Sequence, residues 1–129
     1  MKRLGNKFNS KKVIEEMFNT IMLYLKGTGS LANMTERFRQ YACWGAHAFR
    51  YIVAEERYCY GIQFNVSGLL HKGRVRIYYN EGTDYFDVEL IKARKEELVW
   101  GCADIDCEQL HNILHQHIER TDDPEVYFN

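Results

Sequence analysis

The stretch that decides the fold is residues 74–92, RVRIYYNEGTDYFDVELIK, in which two runs of alternating apolar and polar residues flank a short polar segment. Alternation with a period of two is typical of a β-strand with one buried face, and a glycine between two such runs predicts a hairpin. We place a two-residue turn at Glu81-Gly82, with Gly82 in a positive-φ conformation. The two strands are then Arg74–Asn80 and Asp84–Lys92.

This turn determines the predicted pairing of the two strands. Counting outward from it, both arginines of the first strand face carboxylates of the second, and apolar residues meet on the opposite face. A slip of one residue would place both arginines opposite apolar side chains. The predicted pairs are Tyr78 with Tyr85, Ile77 with Phe86, Arg76 with Asp87, Val75 with Val88, and Arg74 with Glu89.

Two further strands complete the predicted sheet. Residues 58–67, YCYGIQFNVS, alternate in the same way and predict the half-buried strand Tyr58–Ser67, and a fourth strand is expected near Leu98–Ala103. A four-stranded antiparallel meander with helices on one face is the natural packing of these elements. In a simple meander Tyr58–Ser67 is an edge strand.

Three helices are predicted around the sheet. The first begins after the capping residue Asn9 and ends at Gly27, with apolar residues at three-four spacing between them. The second begins at Asn33 and keeps helical spacing as far as Val53, although residues 49–53 also fit a strand. The chain is thus an α+β protein with the order α-α-β-β-β-β-α, in a single domain spanning residues 1–129.

The last helix has a clear beginning. Asp106 is its capping residue, and Gln109 completes a capping box. Helical spacing places His111 at the edge of the core face and His115 mainly outward. The predicted core face consists of Cys107, Leu110, Ile113, Leu114 and Ile118.

Composition argues against several classes of function. Seventeen Lys and Arg against eighteen Asp and Glu give a net charge of −1, so we do not expect a nucleic-acid-binding surface, which needs a basic excess. No apolar stretch is long enough to span a membrane, and none follows Lys2 and Arg3 to form a signal peptide. We therefore expect reduced cysteines and a cytoplasmic location, with no membrane partner.

A group of cysteines and histidines at and before the last helix raises the question of a zinc site. Zinc sites usually draw ligands from two separated segments, whereas three of these four residues share one helix. They remain weak metal candidates, and we predict no cofactor. The catalytic alternative, a nucleophilic Cys107, is opposed by the flanking charges of Asp106 and Glu108, so no catalytic residue is predicted. The four residues are Cys102, Cys107, His111 and His115.

The polar face of the sheet is the candidate binding surface. A sheet with exposed tyrosines and arginines can stack nucleic-acid bases, but here both arginines have carboxylate partners across the strands. Tyrosine is enriched at protein interfaces, so this face suits a protein partner better. Its residues are Tyr78, Tyr85, Arg74, Arg76 and Gln63.

We therefore expect a non-enzymatic binding or accessory module that acts through protein contact. A homodimer is the simplest cover for the Tyr58–Ser67 edge, unless the second helix or the tail residues 126–128 cover it. The alternative is a small-molecule binder or small enzyme, with a pocket between the helices and the sheet. A pocket that encloses Tyr60, Gln63 or His117, with a strongly shifted pKa, would favour this alternative.

Overall fold

The computed structural model describes residues 11–54, 59–80 and 82–119, which form three helices and one five-stranded antiparallel sheet. The strand order is β1-β2-β3-β4-β5, a meander. The predicted α+β class and antiparallel sheet are confirmed, but the predicted number of strands, four, is wrong. The elements are α1 Lys11–Lys26, α2 Glu36–Cys43, β1 His47–Ala54, β2 Cys59–Ser67, β3 Lys72–Asn80, β4 Tyr85–Lys92, β5 Leu98–Ile105 and α3 Cys107–Ile118.

The additional strand, β1, comes from the segment predicted as the second half of the second helix. That helix begins later than predicted, because Thr35 rather than Asn33 caps it, its side chain accepting a hydrogen bond from the Phe38 amide. It ends early, because Gly45 takes a left-handed conformation with φ 64° that interrupts the helix. The β-branched and aromatic residues that follow then pair as a strand.

The new strand changes the edges of the sheet. β1 pairs along β2, with Tyr51 opposite Ile62 and Val53 opposite Tyr60. Since β2 also pairs with β3, the prediction that Tyr58–Ser67 is an edge strand is wrong, and the dimer argument built on that edge is lost. The edges are β1 and β5. The predicted cap Asn9 and the tail residues 126–128 lie outside the described residues.

The predicted hairpin forms between β3 and β4, but its loop is longer than two residues. Asn80 pairs with Tyr85, and Asp84 donates its amide to the Asn80 carbonyl at 2.8 Å. The Asn80 side chain also accepts the Gly82 amide at 2.9 Å. The left-handed residue is Asp84, with φ 64°, rather than Gly82. A two-residue turn needs positive φ at Glu81 as well, whereas an asparagine side chain folds readily into the longer turn.

The longer loop shifts the predicted register by two residues. Arg76 faces Glu89 rather than Asp87, and Arg74 faces Ile91 rather than Glu89. A shift of two keeps every side chain on its predicted face, so the apolar residues still meet one another. The remaining observed pairs are Tyr79 with Phe86, Tyr78 with Asp87, Ile77 with Val88, Val75 with Leu90 and Gly73 with Lys92.

The helices pack on one face of the sheet, as predicted. α1 contacts β2, α3 contacts β4, and α2 contacts the other two helices. Gly27 ends α1 with φ 69°, and Asp106 caps α3 by accepting the Gln109 amide at 3.0 Å, which confirms both predictions. No helix in the described segments has the length and apolar character needed to cross a membrane. The core includes Met17, Ile21, Leu25, Ile62, Phe64, Val75, Ile77, Val88, Leu90, Leu110, Leu114 and Ile118.

Gly61 is required where β2 and β3 approach each other. A Cβ atom there would lie 1.7 Å from the Ile77 carbonyl oxygen, whereas one at Gly101 on β5 would lie 3.5 Å from its nearest neighbour, the Val88 oxygen. We expect Gly61→Ala to lower the free energy of unfolding by about 3 kcal/mol in a urea titration. Gly101→Ala is the control and should change it little. Equal stability of the two variants would contradict the close approach.

Candidate functional site

A cavity of about 310 Å³ lies between α1 and the sheet, next to the first residue of α3. We call it the α1 cavity. α1 forms one wall with Met17, Thr20 and Ile21. The opposite wall consists of inner-face residues of β2, β3 and β4. Because neighbouring strands run antiparallel, Tyr60 near the start of β2, Tyr79 near the end of β3 and Phe86 near the start of β4 lie side by side at one end of the sheet.

Four aromatic rings surround the α1 cavity. Tyr60 and Tyr79 are cross-strand partners, with ring centroids 5.7 Å apart and an interplanar angle of 74°. Tyr79 and Phe86 are partners in the next pair, at 5.5 Å, and Tyr24 of α1 meets Phe86 edge-on at 6.1 Å. These separations are typical of interacting aromatic pairs, so each ring fixes the position of the next.

Polar groups converge on the same space. The Tyr79 hydroxyl donates to the carboxylate of Asp84, the left-handed residue of the β3–β4 loop. Glu16 supplies a second carboxylate from α1, and both acids are exposed at the rim. No lysine or arginine is among the described residues that line the cavity, so its charged lining is acidic.

Cys107 closes one side of the cavity. It is the first residue of α3, it is half-buried, and it lines the cavity together with Tyr24. The nearby Cys107 thiol and burial raise the pKa of the Tyr24 hydroxyl, and the negative charges of Glu108 and Asp84 act in the same direction. Cys107 was predicted to lie on the core face of the last helix, and it packs against the core with part of its surface while the rest lines the cavity.

The predicted binding surface lies on the opposite, outer face of the sheet. There Gln63 is 6% exposed and Tyr78 is 7% exposed, so these two side chains offer little area to a partner. Tyr78 packs against Ile52 over the side-chain-free position Gly61. Tyr85 is exposed.

The arginines of this outer face are held in an internal network. Glu96 accepts hydrogen bonds from Arg74 at 2.7 Å and from Arg76 at 2.9 Å, and these bonds lower the pKa of Glu96. Arg76 also donates to Gln63 at 2.7 Å, and Arg74 donates to the carbonyls of Lys92 and Lys95. Both arginines thus fasten the β4–β5 loop to the sheet.

The weak metal candidates are not brought together. The Cys102 thiol lies on β5 near the Ala103 carbonyl, and Cys107 faces Tyr24. His111 and His115 are buried on the helix side of the core. Within the part of the chain that the structure describes, no three His, Cys, Asp or Glu side chains are placed to hold a metal ion.

The prediction that His115 faces mainly outward is wrong, because Trp44 covers it. Trp44 is fully buried after α2, and its indole nitrogen donates to His115 Nδ1 at 3.0 Å. Its ring also lies against His111, with centroids 5.3 Å apart. Helical spacing could not show this burial, since α3 packs against α2 as well as against the sheet.

His111 joins the three helices. Its Nδ1 donates to the Leu25 carbonyl of α1 at 2.5 Å, and its Nε2 lies 2.8 Å from Gln40 Oε1 of α2. Burial lowers the pKa of His111, and the nearby positive charge of Arg37 lowers it further, against the opposing effect of the Leu25 bond. The folded protein therefore favours the neutral ring, which donates from Nδ1 and accepts at Nε2, so the Gln40 amide presents its NH2 group rather than its oxygen to Nε2.

This burial predicts a pH dependence of stability. A histidine in the unfolded chain has a pKa near 6.5, whereas the pKa of folded His111 is lower. Below about pH 7 the unfolded chain therefore binds more protons at this position than the folded protein does. The free energy of unfolding falls as the pH is lowered. We expect the melting temperature of the wild type to drop more steeply between pH 7.5 and 5 than that of His111→Gln. His47→Gln, at an exposed histidine of β1, should keep the wild-type slope. Equal slopes for wild type and His111→Gln would contradict this role.

Sequence reasoning named one residue of the α1 cavity as a pocket candidate, Tyr60. The other two candidates lie elsewhere, because Gln63 is on the outer face and His117 stacks on Trp100 with centroids 3.8 Å apart. The alternation of β3 and β4 indicated that Tyr79 faces inward but not that it lines a cavity. Comparisons with protein-family models, with curated proteins and with solved structures give no match for this chain. The assignment of the site therefore rests on its geometry.

Proposed function

We propose that this protein binds a small molecule in the α1 cavity. The observation that carries the proposal is a concave space of about 310 Å³ where four aromatic rings meet two carboxylates. Ligand sites are typically concave, mostly apolar and of roughly 300–1,000 Å³, with a few placed polar groups that orient the ligand. The α1 cavity has this composition and lies at the small end of that range.

The lining favours binding over catalysis. A general base at neutral pH is most often a histidine, and the described histidines nearest the core are engaged elsewhere, His111 with Leu25 and His115 with Trp44. No histidine is among the described residues that line the cavity beside Cys107, so its thiol has no neighbouring base there. Recognition of a ligand without chemical conversion is therefore the simpler function.

The proposal predicts that filling the cavity from α1 abolishes binding. Thr20 is an exposed residue whose side chain lines the cavity, so Thr20→Trp should occupy it without disturbing the core. Asn19→Trp is the matched control, since Asn19 is exposed on the same helix and lines a different concavity. The measurement is an NMR screen of small aromatic, amine and carboxylate fragments against the full chain, with the Met17 methyl signal as the reporter.

Cys107 provides a second readout of the same experiment. A fragment in the cavity should slow alkylation of Cys107 relative to the exposed Cys43, in the wild type and in Asn19→Trp but not in Thr20→Trp. A screen in which no fragment moves the Met17 signal would overturn the proposal. So would fragments that bind Thr20→Trp as well as they bind the wild type.

A second candidate function is protein contact through β5, with a second copy of the chain as the partner. β5 is an edge strand, and its residues Leu98 and Val99 are 57% and 52% exposed. Edge strands of monomers usually carry several protective charges, whereas Asp104, close to the end of β5, is the only charged residue of this strand. Antiparallel pairing of two β5 strands would cover these apolar side chains.

This second candidate predicts a concentration-dependent mass. Sedimentation of the wild type at micromolar concentration should show a dimer, and Val99→Lys should give a monomer, because a charge would be placed at the paired edge. Leu31→Lys is the control, since Leu31 is an exposed leucine outside the sheet, in the segment between α1 and α2. A wild-type monomer throughout the concentration range would exclude the β5 dimer and leave the α1 cavity proposal untouched.

A further inference from the structure

Resting on the proposed function, we infer that the ligand of the α1 cavity carries a substituted ammonium group. The aromatic rings and the carboxylates of the lining are complementary to the same chemistry, an organic cation with apolar substituents. Each part of the lining supports this assignment by a different physical argument.

The aromatic rings favour a cation with an apolar surface. The faces of tyrosine and phenylalanine rings carry partial negative charge, and a cation within about 6 Å of a ring centroid is attracted to them. Tyr60 and Tyr79 meet at 74°, so the cavity is bounded by differently inclined rings rather than by a flat stack. Inclined rings of this kind surround a tetrahedral ammonium better than a planar ligand.

The acidic side chains of the lining also favour a cationic ligand. The Asp84 carboxylate accepts a hydrogen bond from the Tyr79 hydroxyl, and Glu16 lines the same cavity from α1. The N-terminus of α3, which carries partial positive charge, is balanced by Asp106 at its cap and by Glu108 in its first turn. An anion placed in this cavity would meet two carboxylates and no basic side chain of the described lining.

An inorganic cation fits less well. Magnesium and calcium ions need several oxygen ligands within about 2.6 Å, and among the described residues no group of three or more His, Cys, Asp or Glu side chains is placed to hold a metal ion. The apolar parts of Met17, Ile21 and Phe86 would also stay unused by a bare ion. A substituted ammonium ion uses both the rings and the acids.

The test compares two probes of the same shape that differ in charge. Choline and its neutral carbon analogue, 3,3-dimethylbutan-1-ol, are titrated into the full chain while the Met17 methyl signal is followed. We expect choline to bind about tenfold more tightly than the alcohol, because only the cation gains from the ring faces and the carboxylates. A short peptide carrying trimethyllysine forms a third arm, and tighter binding of the peptide than of choline would identify a protein side chain as the source of the ammonium group.

Variants separate charge from shape. Glu16→Gln and Asp84→Asn should each weaken choline binding about threefold to fivefold and leave the alcohol unchanged. Asparagine tolerates the left-handed conformation of residue 84, so this variant keeps the loop. Glu15→Gln is the matched control, because Glu15 is the neighbouring exposed acid on α1 and does not line the α1 cavity.

The outcomes distinguish this inference from the function on which it rests. Equal affinity for choline and the alcohol, with no effect of Glu16→Gln or Asp84→Asn, would overturn the ammonium assignment while small-molecule binding stands. If choline does not bind while other fragments still shift the Met17 signal, the ammonium assignment is likewise overturned and small-molecule binding stands. If no fragment of any class moves that signal, the proposed function fails together with the inference.

Discussion

The bond from the buried His111 ring to the Leu25 carbonyl ties the C-terminus of α1 to α3, and the arrangement of the helices depends on it. The same ring contacts the side-chain amide of Gln40 on α2. Trp44, which follows α2, donates a hydrogen bond to His115 of α3, and these contacts together form a junction of the three helices. An isolated helix of 16 residues is marginal in water, so α1 takes its position from contacts such as this one. Since one wall of the α1 cavity is α1 itself, the junction determines where the cavity lies and how wide it is.

The other wall depends on the register of the sheet. Close approach of β2 and β3 at Gly61 places Tyr60 beside Tyr79, and the four-residue loop after Asn80 lets the Asp84 carboxylate reach the Tyr79 hydroxyl. A tight two-residue turn would have placed Asp84 within the strand, opposite Tyr79. The departure from the predicted turn is therefore the feature that brings an acid to the mouth of the cavity.

Local signals predicted much of the fold, and tertiary packing decided the rest. Alternation predicted β2, β3 and β4, and the capping residue Asp106 predicted the start of α3. β1 was missed because its apolar spacing fits a helix as well as a strand, and only pairing with β2 separates the two. His115 was placed wrongly because a one-sided helix was assumed. The α1 cavity was not predictable, since alternation shows that Tyr79 faces inward but not whether a helix covers it.

If the α1 cavity binds a substituted ammonium ion, a crystal structure of the full chain grown with benzyltrimethylammonium at millimolar concentration will show it directly. We expect density for the cation between Tyr24, Tyr60 and Tyr79, with its nitrogen within about 6 Å of the ring centroids and facing Asp84. Water alone in the cavity, or a cation bound only at the outer face of the sheet, would contradict it.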